Sequence, residues 1–537
     1  MTTAGYLGWP VRRAPPAWAG TLLLALAWLA LGPATPDLAA QVHRVGMFAT
    51  HGFSVWDNTW YDGHHALGYS LVFPAVGAAV GARIAGAAAA VASAALFESL
   101  LRGRGARAAC WWFAVGCVAD LVIGRLTYAL GVTVGLAAIA AFTRGWTAVA
   151  VALAVACAAT SPVAGLFLAL AGVGLALARR RIEALALSGA AGATVVALSL
   201  AFPDGGAQPF SVASFATAVG VSLGVAVAVR RDRGLRLAPL LYVAAVVASF
   251  AIASPMGANV TRLGTAFAGP LVLVAAGRWS RSRGTIVVAV VLAAAAVWQW
   301  VDPAVQAARA WRDPSASAAY YQPLLAELRR ADPGGARIEV PFTRDHWESV
   351  FLARRYPLAR GWERQLDRRL NPLFYAPRLD AGTYGRWLRS EAVRYVALPD
   401  VPMDVAGIRE AEIVASGPAF LEPVWRGAHW RLFRVRDPLP LATGAATSVR
   451  VGVTDVRLVA RRPGPIVLRV HWTPYWQLSA GNGCVEHDGP WTRVTARRAG
   501  RFVLAARFSL GGLLERSAVC SPAPAVRSSR GEARPSR

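Results

Sequence analysis

The 537-residue chain contains no lysine. Its formal charge of +26 rests on arginine alone, which reads as the codon bias of a GC-rich genome and not as a function. Carboxylates are scarce in the first three hundred residues, where long runs of Ala, Val, Leu and Gly fill positions 17 to 300. With 55% hydrophobic residues, the chain is too apolar for a soluble enzyme of this size. The charge suggests nucleic acid at first sight. However, no groove motif joins basic residues to stacking aromatics, and the arginines sit in short clusters between apolar runs. No convincing cleavage site follows the first apolar run, from about Ala17 to Leu31, so it reads as a retained helix behind Arg12 and Arg13. No segment after Trp300 has the composition of a membrane span.

What is present alternates. The second apolar run, about Leu71 to Leu101, ends in Arg102, Arg104 and Arg107; the third covers about Ala108 to Ile123. The fourth, about Leu126 to Phe142, ends at Arg144. The fifth and sixth flank Ser161-Pro162 and end in Arg179, Arg180 and Arg181. The seventh and eighth flank PDGGAQPF and end in Arg230 to Arg236. The ninth and tenth flank SPMGANVTR and end in Arg278 to Arg283; the eleventh runs from about Thr285 to Trp300. Every second loop is arginine-rich, the pattern of positive-inside loops. It predicts a polytopic α-helical membrane domain over 1–300 of about eleven spans in a plasma membrane, with the N-terminus inside and the C-terminus outside.

One polar loop, Pro33 to Pro74, stands apart. It carries Asp37, Asp57 and Asp62, and also His43, His51, His64 and His65, with Trp56, Trp60, Tyr61 and Tyr69 interleaved. A mere connector needs none of these, and acids and imidazoles beside a membrane suggest a site. Asp120, Arg125, Asp204, Asn259 and Arg262 fall on the same expected external side. Asp120 and Arg125 are close enough in sequence to pair, while Arg125 and Arg262 are also suited to a lipid phosphate, whose geometry a guanidinium fork matches. Plainer roles are open too. Asp37 suits the N-cap of the helix DLAAQVHRVGMF, Asp57 and Asp62 suit turns, and Trp56, Trp60 and Tyr61 suit the membrane interface.

Residues 301 to 440 read as an extracytoplasmic α/β region. Its helix Tyr321 to Arg330 is amphipathic on Leu324, Leu325 and Leu328, and its strands lie at 337–342, 393–399 and 429–435. Residues 441–525 read as a small antiparallel sandwich, and 526–537 as a disordered tail. Cys110, Cys117 and Cys157 fall inside spans as small apolar fillers. Cys484 and Cys520 fall in the exported part, where oxidation is possible, and are expected to form a disulfide.

An acid just after the first span, a long first external loop, many spans and an external C-terminal domain resemble the GT-C class of membrane glycosyltransferases, including its actinobacterial arabinosyltransferases. The stretch PDLAAQVHRVGMFATHGF carries the resemblance in sequence. It departs from the class in lacking an Asp-Glu pair, since Leu38 follows Asp37. The resemblance implies a polyprenyl-phosphate sugar donor from the membrane and an envelope glycan or glycolipid as acceptor. It implies Asp37 as general base, and Arg125 and Arg262 on the departing lipid phosphate. Asp57, Asp62, His64, His65, Trp60 and Tyr61 would line the acceptor pocket. The His-His pair beside acids is a candidate divalent-cation site, although its spacing matches no specific metal motif. A transporter or flippase of lipid-linked precursors, or a scaffold with an exported binding domain, is the alternative. Spans four to eight hold almost no polar residues, which disfavours a path across the membrane.

Overall fold

The computed structural model describes residues 15–179, 181–276, 284–311, 313–331, 334–514 and 520. Arg12, Arg13, Arg180, the run 278–283 and the tail 526–537 lie outside the described residues. The chain divides into two compact units, Met1–Leu439 and Pro440–Arg537.

The first unit begins with helices in every apolar run. They are α1 (Ala17–Leu31), α2 (Pro36–His51), α3 (Phe73–Val80), α4 (Ala82–Leu100), α5 (Arg107–Ile123), α6 (Leu126–Thr143) and α7 (Thr147–Thr160). There follow α8 (Pro162–Arg179), α9 (Leu185–Ala201), α10 (Val212–Ala228), α11 (Arg233–Ala251), α12 (Thr261–Ala276) and α13 (Gly284–Ala310). Among the described residues six helices are long and apolar enough to cross a membrane, or seven if the bent pair α1–α2 is one span. The difference from the eleven expected spans is one of length. Thr147–Thr160, Pro162–Ala178 and Val212–Ala228 are apolar but fall short of the ~20 residues a bilayer asks of a straight helix. Leu23, Ile286 and Val290 stand 69%, 69% and 62% exposed on α1 and α13, faces that suit lipid rather than water. The second apolar run is broken at Gly81 into α3 and α4, and α13 continues past Trp300 to Ala310 as one 27-residue helix.

Between α2 and α3 a short hairpin pairs β1 (Trp56–Asp57) with β2 (His64–His65). Beyond α13, Ala318–Ala331 forms the expected amphipathic helix, with Leu324, Leu325 and Leu328 buried. A four-stranded sheet follows, in the order β3 (Arg337–Glu339), β4 (Val393–Pro399), β6 (Trp430–Val435), β5 (Leu421–Arg426). The β3–β4 pair is parallel and the other two are antiparallel. This region belongs to the same compact unit as the helices. One core cluster runs through both, joining Leu38, Trp60 and Leu121 to Leu324, Ile338 and Trp430.

The second unit holds two four-stranded antiparallel sheets. The first contains β7 (Ala442–Gly444), β10 (Gly464–His471), β12 (Gly483–Asp488) and β13 (Trp491–Ala496). The second contains β8 (Ala446–Val451), β9 (Asp455–Ala460), β11 (Trp476–Ala480) and β14 (Gly500–Ala506). Alternation sets the buried face: Val456, Leu458 and Ala460 on β9 and Ile466, Leu468 and Val470 on β10 are all within 2% of fully buried. Cys484 and Cys520 are disulfide-bonded across 36 residues, with Cα atoms 5.8 Å apart. Closing a loop of that length is worth about 4 kcal/mol in the chain-entropy model. Both thiols should therefore resist alkylation until the protein is reduced. Cys484→Ser should lower the unfolding midpoint of this unit by several degrees, read by thermal denaturation with and without reductant.

Candidate active site at the α1–α2 bend

The site is built by a bend. Helix α1 ends at Gly32, which adopts φ +60°, and α2 begins four residues later at an angle of 80° to it. Thr35 is the N-cap of α2 and Pro36 takes the first helical position, which suits a residue without an N–H. Asp37 therefore lies in the first turn of α2, not at the cap, where the helix dipole favours its charge. Arg83 clamps the bend by donating to the carbonyls of Gly32 and Pro33 at 3.1 and 2.7 Å.

Gly124 brings a second element against this turn. Its φ is +91°, and a Cβ there would lie 2.4 Å from the backbone nitrogen of Leu38. Only glycine allows the α5–α6 turn to approach so closely. Arg125 is thereby delivered to Asp37: its Nε donates to Asp37 Oδ2 at 3.4 Å. Its Nη1 stands 4.0 Å from Asp120 Oδ1 on α5. The side chains of Asp37, Arg125 and Asp120 keep 32%, 24% and 21% exposure. Arg262, in the first turn of α12, donates to Asn259 Oδ1 at 2.7 Å and holds its guanidinium 5.4 Å from the Tyr128 ring. It lies within electrostatic range of Arg125, Asp37 and Asp120, and Asp302 of α13 acts on Arg125. Among the described residues, Arg262 Nε and Tyr128 Oη are buried without a hydrogen-bond partner. A mostly apolar cavity runs from Asp120 past Cys117, Ser93, Phe113 and Val132.

The remaining loop residues go elsewhere. Trp60, Tyr61, Asp57, Asp62, His64 and His65 are all 6% exposed or less. Asp57 accepts from Thr59 at 2.6 Å through the hydroxyl and 2.8 Å through the backbone, and its Oδ2 lies 2.8 Å from His43 Nε2. Burial raises the Asp57 carboxyl, but the imidazole beside it prevails and holds it well below the usual carboxylate range. Asp62 pairs with Arg337, and His65 meets Asp204 at 2.6 Å. Trp60 stacks between His43 and His64 and donates its indole N–H to Ser349 O at 3.0 Å. Tyr61 donates to Gly361 O and accepts from Glu363 N at 2.8 Å. The turn Trp60–Gly63 closes on a 2.9 Å backbone bond, with Tyr61 and Asp62 at φ 56° and 62°. Both strained residues are held by partners from the sheet region. Trp60, Tyr61 and Asp62 join the loop to the region after α13, and all six side chains are buried instead of facing an open surface. They do not fit a divalent cation either, because Asp57, Asp62 and His65 each already have protein partners. Among the described residues no three His, Cys, Asp or Glu side chains gather as metal ligands.

The region after α13 also roofs the bend. Trp362 donates to Pro36 O at 2.8 Å, Trp347 to Ala34 O at 2.9 Å, and Arg44 of α2 pairs with Glu363. Behind Trp362 the His346 ring stacks at 3.5 Å, with Glu348 and Asp404 at 3.5 and 3.7 Å. Burial opposes its charge, but those carboxylates raise His346 above its ordinary value. Sequence reasoning missed Glu363, Trp362 and Asp302, whose partners lie hundreds of residues away. Gln41 and Arg44 carried a usable signal, since they follow Asp37 at helical spacing.

No family model matches the chain, and no curated protein matches it. Two expectations follow from the geometry. Asp57→Ala strands His43 and Thr59 in the core and should cost about 3 kcal/mol, the scale for breaking a buried pair, read by thermal unfolding in detergent. Burial, with Asp313 nearby, lifts the Asp345 carboxyl to about 6. A carboxyl raised on folding stabilises while protonated, and that contribution is lost as pH rises through its folded value. Asp345→Asn, which fixes the neutral form, should thus raise the melting temperature at about pH 8 and hardly change it at about pH 4. Among solved structures, the chain is similar to the cryo-EM structure of the arabinofuranosyltransferase AftD from mycobacteria at 13% identity and a TM-score of 0.43; the match covers 91% of this chain and 58% of the length of that one.

Proposed function

We propose that the chain is an integral membrane glycosyltransferase that moves a sugar from a polyprenyl-phosphate donor to a cell-envelope acceptor on the outer face of the membrane. One observation carries this reading: Asp37 of α2, Asp120 and Arg125 of the α5–α6 turn, and Arg262 of α12 come from three separate places in the sequence to one partly exposed cluster, with Asp120 beside an apolar cavity. In the reaction the acceptor oxygen bonds to the anomeric carbon as the bond from that carbon to the phosphate oxygen breaks. The electron pair leaves on the lipid phosphate, and the hydroxyl proton passes to the Asp37 carboxylate. Arg262, with an unpartnered Nε, and Arg125 neutralise the phosphate as charge develops on it. A phosphate arriving at Arg125 competes with Asp37 for the guanidinium.

Asp37→Asn should reduce transfer about 100- to 10,000-fold, the range for losing a general base, with Asp120 left as the carboxylate partner of Arg125. Arg262→Gln should reduce it about 100- to 1,000-fold. Radiolabelled polyprenyl-phosphoryl sugars and envelope extracts, assayed with purified protein in detergent, measure both. Unchanged transfer by Asp37→Asn protein would remove the catalytic role. Absence of transfer by the unmodified protein with any such donor would favour a scaffold or carrier.

A further inference from the structure

The polar face of α2 extends beyond Asp37. Gln41 and Arg44 follow it at four and seven residues, so all three share one face, and Arg44 lies about 10 Å along the axis from Asp37. Arg44 is 6% exposed, and its Nη2 pairs with Glu363, which is 319 residues away in sequence. Its guanidinium lies 3.9 Å over the Tyr69 ring. Its other terminal nitrogen, Nη1, is buried without a hydrogen-bond partner among the described residues. An unmatched guanidinium N–H at such a depth costs stability, on the order of 1–3 kcal/mol for an unsatisfied polar group. The Tyr69 hydroxyl accepts from Gln41 Nε2 at 3.1 Å, and Tyr69 lies within electrostatic range of Arg262. Gln41 is in turn fixed by the Thr127 hydroxyl. Tyr69 and Glu363 are both partly exposed, the Glu363 side chain by 12%.

We infer that Arg44, Glu363 and Tyr69 form a sugar-binding subsite that holds the acceptor one unit away from its reacting hydroxyl. The chemistry suits a neutral polyhydroxylated ring. The free Nη1 donates to one hydroxyl, the Glu363 carboxylate accepts from a neighbouring one, and the Tyr69 ring offers an apolar face to C–H groups. Charge balance supports a neutral ligand, because Arg44 and Glu363 already cancel. The distance along α2 sets the subsite apart from the transfer centre at Asp37, and Gln41–Tyr69 links the two. Glu363 comes from the segment that roofs the bend, so the region after α13 supplies part of the acceptor selectivity. This inference rests on the glycosyltransfer reading.

The test uses the full-length protein in detergent. Farnesyl-phosphoryl pentofuranose and hexopyranose serve as donors, and octyl monosaccharide and octyl trisaccharide glycosides as acceptors. For Arg44→Gln the trisaccharide KM should rise at least tenfold, while the donor KM stays within twofold and the preference for trisaccharide over monosaccharide collapses. Glu363→Gln, whose side chain reaches solvent, should show the same split and serves if the arginine variant fails to accumulate. A folded variant in which donor KM and both acceptors change together would reduce the pair to a structural tie and overturn the subsite, leaving the transferase reading intact. No transfer by the unmodified protein with any of these pairs would overturn both.

Discussion

Arg125 is shared between two carboxylates at the end of apolar helices, and the surrounding architecture serves that arrangement. An ionisable group at membrane depth costs about 2.5–3.5 kcal/mol on insertion scales, so none of these residues would persist there alone. Asp37 and Asp120 offset the arginine, and the arginine offsets them. The pairing needs α2 to turn away from α1 by 80° and needs a glycine at 124 so that the two turns can touch. A side chain at 124 would push Arg125 away from Asp37, and the bend would then leave an unpaired acid at the bilayer.

The region after α13 holds that bend in place. Trp347 and Trp362 donate their indole N–H groups to the carbonyls of Ala34 and Pro36, on either side of the N-cap of α2. Trp60 and Tyr61 are bound to Ser349 and Gly361 in the same way. Four large rings therefore tie the segment around Asp37 to the sheet region. This explains why the region after α13 forms one compact unit with the helices instead of hanging from them as a separate domain.

The sequence carried the helices well, because each apolar run is nearly free of polar residues and its boundary is marked by arginine, glycine or proline. It also carried Asp37, Arg125 and Arg262, since charge near an apolar end has few reasons to be there. The loop acids were harder. Asp57, Asp62 and His65 have the chemistry of a site, and composition cannot separate a site from a polar core. Their partners decide the matter: Arg337 and Asp204 lie far along the chain, and nothing local to the loop points to them. Glu363 was hidden for the same reason, since its partner Arg44 lies 319 residues away.

Buried charge in this protein differs in how fully its neighbours satisfy it. Arg360 is closed on every side: Asp367 and Glu410 accept from it at 2.7 and 2.8 Å, and Phe342 and Phe374 cover its faces at 3.8 and 3.6 Å. Asp57 is likewise saturated by His43 and Thr59. Such networks fix a unique core, and a fully satisfied network has no capacity left for a ligand. Around Asp37 the opposite holds. The contacts there are longer, at 3.4 and 4.0 Å, the side chains of Asp37, Arg125 and Asp120 keep a fifth to a third of their surface, and among the described residues Arg262 Nε and Tyr128 Oη have no hydrogen-bond partner. A fold able to saturate Arg360 so completely could have done the same at the bend. Instead, among the described residues, Arg262 Nε and Tyr128 Oη keep no partner a short way from the Asp37–Arg125–Asp120 set, and the glycosyltransfer proposed above would bring a phosphate to meet them.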